Sequence, residues 1–303
     1  MNPRLLFNTL KLLLFLLLYP LVVAASYISA VAVMVMFVAV QLGMQGMDVS
    51  FVNVFTALVG TYWYGLYGAM LAFLVLIYWY NRNRLEMGAD MRFITPQTQP
   101  RVYNICEKCS AGLGIPMPLL LMQEHSSVNA YTAGISGDTY RIVLTSKLVQ
   151  FCSDEEIEAV LAQQLVQLAN GDTMLISISG MVTHIFSFLT SIMWPARWEG
   201  ASSGGIGGWR LVLVGACKLA NIGALFGWLF ISHRREFVAD AQAVQFTGNP
   251  RALVSVLKKV AENSWGVYGP AYINPLLFHY RDPEKFLATH PPLEARIAAI
   301  GLD

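Results

Sequence analysis

The chain alternates between long apolar stretches and segments patterned for amphipathic helices and half-buried strands. Residues 5–43 form one apolar run, longer than the about 20 residues an upright helix needs to cross a bilayer. Lys11 and Pro20 divide it, which predicts a tilted or interfacial lead-in and then a span over 20–43. No small-residue cleavage site follows a short apolar core, so the run reads as an anchor rather than a removed signal peptide. A second span is predicted over 51–80, closing in the aromatic belt and arginines of "IYWYNRNR". A third covers 173–194 and ends at Trp194-Pro195. A fourth covers 209–232 and runs into "SHRRE", and the Gly-rich "GASSGGIGG" joins it to the third.

Between these runs the period changes. Residues 97–113 repeat apolar positions at helical spacing and stop at Gly114. The stretches "PLLLM" (118–122), "SVNAYTAG" (127–134) and "YRIVLTS" (140–146) are short, rich in β-formers and separated by turn residues, which predicts a small antiparallel sheet. Next comes "SDEEIEAVLAQQLVQLANGD". Ser153 and Glu156 form a capping box, and Asn170-Gly171 supplies the stop signal, so a helix is expected over 154–170. At 100° per residue Ile157, Leu161 and Leu168 share one face; Gln164 falls near its centre, with Gln163 and Gln167 along one side. Three glutamines on the inner side of a helix need partners. Further on, "SHRREFVADAQAVQFTG" predicts a helix carrying Glu236 and Asp240 at i and i+4. Another helix begins at Pro250, and "THPPLEARIAAIGL" reads as a Pro-initiated final helix.

Composition agrees with a membrane protein that has a soluble part. The 303 residues are 55% hydrophobic and only 13% charged, with a mean hydropathy of +0.51; soluble chains carry about 25% charged residues. The net charge of +1 gives no reason to expect nucleic acid. Arg82, Arg84 and Arg92 follow the second span and Arg234 and Arg235 follow the fourth, while the 44–50 loop holds only Asp48. With Arg4 and Lys11, this bias puts both termini and 81–171 in the cytoplasm, although Arg197 and Arg210 lie in the opposite loop. Four regions follow: a membrane anchor (1–80), a first cytoplasmic part (81–171), a transmembrane hairpin (172–232) and a second cytoplasmic part (233–303). Cys106 and Cys109 form one C-x-x-C without a second pair, so they read as neighbours on a helix; Cys152 and Cys217 are isolated. His184, Lys218 and Asn221 fall within predicted spans, where a polar group either lines a functional path or satisfies itself across helices.

In this order the segments resemble the membrane zinc metallopeptidases of the HtpX and CAAX-prenyl-protease type. The resemblance runs over nearly the whole chain, through two N-terminal spans, "NAYTAG", "SDEEIEAVLA", "NGD", a membrane hairpin, "REFVADAQAVQFTGNPRAL" and "THPPLEARI". It implies a mainly α fold with a small antiparallel β-sheet, a polytopic membrane protein whose gluzincin-like domain is split by a transmembrane hairpin. It also implies a bacterial inner-membrane location with the peptidase-like domain cytoplasmic. In that family the motif helix carries His-Glu-x-x-His, and those positions are Gln163, Gln164 and Gln167 here. Gln163 and Gln167 stand where two zinc ligands belong, and Gln164 where the general-base Glu belongs. Glu236 matches the third zinc ligand, Asp240 its supporting acid, and His290 an active-site neighbour. Asn129 and Ala130 match the edge strand that pairs with substrate backbone.

Catalytic zinc takes imidazoles, thiolates or carboxylates, and the base must accept a proton from bound water. A carboxamide does neither well. No cofactor is therefore expected, and the chain reads as a pseudopeptidase: a polypeptide-binding scaffold or regulator in membrane-protein quality control. Its expected partners are membrane proteins, unfolded polypeptides, another membrane protease or scaffold, and the lipid bilayer. A hydrogen-bonded network of Gln163, Gln164, Gln167, Glu236 and His290 would replace the metal, with Arg234, Arg235 or glutamine amides offsetting the Glu236 charge. The alternative is a zinc metalloendopeptidase cleaving membrane proteins, active through an altered site or disabled by introduced glutamines. A rebuilt site would draw on His233, Glu236, His290, His125 or His279. A serine-hydrolase reading of His125-Ser126-Ser127 lacks a nucleophile motif, and a transport or lipid-handling role rests on His184 and Lys218 alone.

Overall fold

The structure, a computed structural model, describes residues 3–14, 17–18, 75–76, 91–178, 234–263, 277–278 and 290–301, with single positions elsewhere. The chain divides into two compact units. The first comprises Met1–Leu12, Asn81–Gly180 and Trp228–Asp303; the second comprises Leu13–Tyr80 and Met181–Gly227. Most of the expected spans, and with them His184, Cys217, Lys218, Asn221, His233 and His279, lie outside the described residues. Among the described residues no helix is long and apolar enough to cross a membrane.

Helix α1 (3–14) comes first, and its residues up to Leu12 belong to the first unit. Strand β1 (Met91–Phe93) and helix α2 (Pro100–Leu113) follow. Pro100 at the first turn suits α2, since a helix start leaves that N–H unused, and Gly114 closes it at φ 66°. Strands β2 (Leu119–Gln123), β3 (Ala130–Ala133) and β4 (Arg141–Thr145) lead into a short helix α3 (Ser146–Phe151). Helix α4 (Asp154–Asn170) is the motif helix. Helices α5 (Arg234–Thr247), α6 (Pro250–Asn263) and α7 (Leu293–Ile300) follow among the described residues.

The sheet differs from the expectation. Its order is β1-β2-β4-β3, and β2 pairs with β4 in parallel, so the sheet is mixed rather than antiparallel. The chain passes from β2 to the far edge, forms β3, and returns antiparallel as β4 into the gap. Composition explains which strand takes the centre: Ile142, Val143 and Leu144 are all nearly solvent-free, the pattern of a strand covered on both faces. Strand β1 and helix α3 are additions to the expected elements; three residues of "MRF" carry too little periodicity to signal a strand.

Helix α4 is the centre of the domain. It packs against α2, α5 and α6, and touches β3. The Ser153 hydroxyl accepts from the Glu156 amide while the Glu156 carboxylate accepts from the Ser153 amide at 2.8 Å. Gly171, at φ 74°, ends the helix with its N–H on the Gln167 and Leu168 carbonyls. Ile157, Val160, Leu161, Leu165 and Leu168 join α2 residues Val102, Cys106 and Cys109 and α6 residues Leu253, Val256 and Leu257 in one core. Burying such side chains contributes about 1.5–3 kcal/mol each. That packing fixes α4 rigidly and so sets the direction of its glutamines.

Candidate active site

The three glutamines of α4 are interior. Gln163 and Gln164 are fully buried and Gln167 is 5% exposed. Helix α5 lies alongside and brings Glu236 and Asp240, at 1% and 2% exposure, into the same interior. His290 and Arg296 arrive from the C-terminal segment and are equally buried. The structure thus gathers the expected Gln163, Gln164, Gln167, Glu236, Asp240 and His290 in one domain interior. Arg296 is the member that sequence reasoning missed.

Arg296 organises the cluster. Its Nε donates to Asp240 Oδ2 at 2.7 Å and its Nη2 to Asp240 Oδ1 at 2.7 Å. Its Nη1 donates to the Phe278 carbonyl at 2.8 Å and lies 3.1 Å from Glu236 Oε2. The guanidinium also sits over the Phe278 ring at 5.3 Å. Five donors in a fixed fork can serve two carboxylates and a carbonyl at once, which a lysine cannot. Burial drives the Asp240 carboxyl up, and Arg296 opposes that shift without cancelling it. Conversely the two carboxylates outweigh burial at Arg296 and push its pKa up.

Glu236 has two further neighbours. Arg235 Nη2 donates to Glu236 Oε1 at 3.4 Å, and His290 Nε2 lies 3.4 Å from the same oxygen. The same Nε2 is 2.9 Å from the Leu277 carbonyl. Both neighbours are acceptors, so Nε2 carries a proton in this arrangement. Of the expected compensating groups Arg235 is present, while Arg234 is exposed.

The glutamines form a smaller network than expected. Gln164 Nε2 donates to Gln163 Oε1 at 2.7 Å. Gln163 lies beside Asp240 and favours its charged form, though its Nε2 has no well-formed hydrogen bond there. Gln164 Oε1 is likewise buried, without a hydrogen-bond donor among the described residues. Gln167 contributes no side-chain hydrogen bond among the described residues.

These residues do not fit a catalytic zinc ion. Two of the three α4 positions hold neutral amides where imidazoles are needed, and the acceptor of Gln163 is already used by Gln164. Glu236, the one anionic candidate ligand, faces two guanidinium groups, which repel a second cation. Among the described residues no three His, Cys, Asp or Glu side chains converge as a metal cage. His125 is committed elsewhere, its Nδ1 accepting from the Ser127 amide at 3.0 Å, which makes "HSS" a turn.

The edge strand completes the site. Asn129 turns its Oδ1 back to the Ala130 amide at 2.9 Å, and its carbonyl accepts from Thr145. The outer edge of β3 is taken by the chain itself. Tyr131 and Leu277 form an antiparallel bridge, and the Phe278 amide donates to the Ala130 carbonyl at 2.7 Å. The carbonyls of Leu277 and Phe278 are in turn held by His290 and Arg296. Leu277 and Phe278 are therefore clamped between the edge strand and the charge cluster.

The description of Peptidase family M48 matches residues 96–301, which takes in every site residue named above. A "Protease HtpX homolog" of Bacteroides fragilis (strain YCH46) is 31% identical over 251 residues, covering 77% of this chain and 78% of its own length. A "Protease HtpX homolog" of Trichormus variabilis is 29% identical over 236 residues, covering 74% and 81%. The crystal structure of S. mikatae Ste24p aligns with a TM-score of 0.47 and 20% identity, over 99% of this chain and 66% of that one. On the extent of the family match and the identity to the Bacteroides relative, the chain belongs to peptidase family M48, among the proteins of the HtpX and CAAX-prenyl-protease type.

Proposed function

We propose that this chain is a membrane-embedded, HtpX-like pseudopeptidase that binds extended polypeptide without cleaving it and without zinc. The observation that carries the reading is the occupied edge of β3. The Ala130 carbonyl already accepts a backbone hydrogen bond from Phe278, and Tyr131 bridges Leu277 antiparallel, so the edge is competent for strand addition. Beside it, the positions for metal and base hold three carboxamides, and a guanidinium joins the two buried acids. Strand addition needs neither metal nor base, so this half of the site works without them.

Membrane embedding is part of the same proposal. It is supported by the apolar runs of the sequence and by the kinship with HtpX homologues. The domain would face the cytoplasm by its Lys/Arg bias, and its partners would be membrane proteins, unfolded polypeptides, or another protease or scaffold of the same membrane. A role in membrane-protein quality control follows from that partner set.

The test is to titrate the full chain in neutral detergent with a labelled, reduced and alkylated polypeptide. The reading predicts saturable binding with the polypeptide recovered whole. Chelator-sensitive cleavage would replace it with a working metalloendopeptidase, and absence of binding would remove the scaffold role.

A further inference from the structure

Strand β4 alternates between two faces of the sheet. Ile142 and Leu144 enter the core beside the motif helix, so Arg141 and Val143 point to the opposite face. Arg141 is half-buried there. Its cross-strand neighbours are apolar, Leu119 on β2 and Ala133 on β3. The next residues on that face are Leu121, Val143 and Tyr131, and none of them is an acid. Among the described residues no hydrogen bond or ion pair engages the Arg141 guanidinium, and burial alone pulls its pKa down. Arg92, Arg101, Arg235 and Arg296, by contrast, each face a carboxylate.

A guanidinium that gives up part of its water without gaining an acceptor destabilises the fold. An anion carried by a ligand recovers that loss, and the register of the edge strand fixes where it would stand. Tyr131 and Leu277 form an antiparallel bridge. In a polypeptide that takes over this register, the residue two before the one opposite Tyr131 lies opposite Ala133. Directly opposed residues project to the same face, so its side chain shares the face of Ala133 and Arg141. The added strand lies about 9–10 Å from β4, two strand spacings away. Between them on this face stands the methyl group of Ala133, which is itself half-buried. Over so small a side chain, an arginine and a glutamate together can span the gap and meet.

We infer that Arg141 is a specificity-determining residue of the β3 edge, selecting an acidic side chain at the polypeptide position opposite Ala133. The inference rests on strand addition at β3 and names the class of segment that the edge takes. Guanidinium and carboxylate pair through two parallel hydrogen bonds. A neutral side chain at that position leaves Arg141 as it is, and a cation there is repelled.

The test measures affinities of the full chain in neutral detergent by fluorescence anisotropy. Three short, labelled, end-blocked peptides of β-forming sequence are compared, identical except for one central Glu, Gln or Arg. The Glu peptide should bind about tenfold more tightly than the Gln peptide, and the Arg peptide most weakly. In Arg141→Gln the ratio between the Glu and Gln peptides should fall to about one. In Arg141→Glu the order should invert in favour of the Arg peptide, an outcome that a misfolded chain does not give. Equal binding of the Glu and Gln peptides by the unsubstituted chain, or a Glu preference kept by Arg141→Gln, would overturn the selectivity and leave strand addition standing. Failure of all three peptides to bind would remove strand addition, and the selectivity with it.

Discussion

Arg296 grips Asp240 through two parallel hydrogen bonds of 2.7 Å, across 56 residues of chain and with both side chains sealed from solvent. This fork ties the C-terminal helix α7 to α5, and its third nitrogen reaches both Glu236 and the Phe278 carbonyl. The cationic centre of the domain is thus an arginine from the last helix. Asp240, Glu236 and the Phe278 carbonyl all depend on it, and all three lie within the site.

Removing that cation leaves two buried carboxylates beside each other. Arg296→Met keeps the volume and loses the charge, and should lower stability by about 3–5 kcal/mol, read by denaturant unfolding of the detergent-solubilised chain. The loss should shrink on acidification. Asp240 titrates above its ordinary value because of burial, so the folded state holds a proton that the unfolded state gives up. Stability then falls as pH rises from the unfolded pKa through the folded one, and without Arg296 that window widens upward. An Arg296→Met chain as stable at pH 8 as the unsubstituted one would refute the role.

Glu156 has a second, independent network. It closes the capping box, accepts from Ser255 Oγ at 2.6 Å and pairs with Lys259 Nζ at 2.7 Å. Burial alone would raise its pKa, but the Lys259, Ser255 and Ser153 hydrogen bonds win and lower it from 4.5. A depressed acid contributes stability above its unfolded pKa and loses it as pH falls through the folded one. Glu156→Gln should therefore cost about 1–3 kcal/mol at pH 7, and the gap between the two proteins should close as the pH falls from the ordinary carboxylate range through the depressed value of folded Glu156. A gap independent of pH would show that packing, not charge, is responsible.

The segment on the edge of β3 is the natural competitor of any added strand. Phe278 is fully buried, so Phe278→Ala should destabilise by about 3–4 kcal/mol. It should also raise the affinity of β3 for unfolded polypeptide, because the resident segment loses its buried ring and that ring's stacking on Arg296. Unchanged polypeptide affinity in a folded Phe278→Ala chain would show that β3 is not the binding edge.

The thiols of Cys106 and Cys109 are both pushed up to about 12, chiefly by burial. Few thiolates form at neutral pH, and the thiolate is the reactive form. Maleimide or disulfide reagents should label neither residue in the folded protein and both after unfolding. Rapid labelling at pH 7 would reopen the C-x-x-C as a reactive or metal-binding pair.

Local signals carried much of this site. The capping box at Ser153 and Glu156 and the stop at Gly171 place α4 to the residue, and helical spacing turns its glutamines inward. Spacing likewise puts Glu236 and Asp240 on one face of α5. The sheet order was not legible, because alternation marks a strand and says nothing about its neighbour. Nor was Arg296. An arginine on an eight-residue terminal helix ordinarily reads as surface. The available signal was charge balance: two acids aimed at an interior require a cation, and "EARI" offers one in the segment that returns to the site. Closure of the β3 edge by Leu277–Phe278 depends on contacts more than 100 residues apart in sequence, beyond any local pattern.

The measurement that bears most directly on the account is zinc content by elemental analysis of the full chain, purified without chelators. The Gln163→His/Gln164→Glu/Gln167→His variant, prepared in parallel, controls for metal lost on extraction. The account predicts far less than one zinc per unsubstituted chain and a rise toward one per chain in the variant. One zinc per unsubstituted chain, removed by chelator together with any peptidase activity, would contradict it.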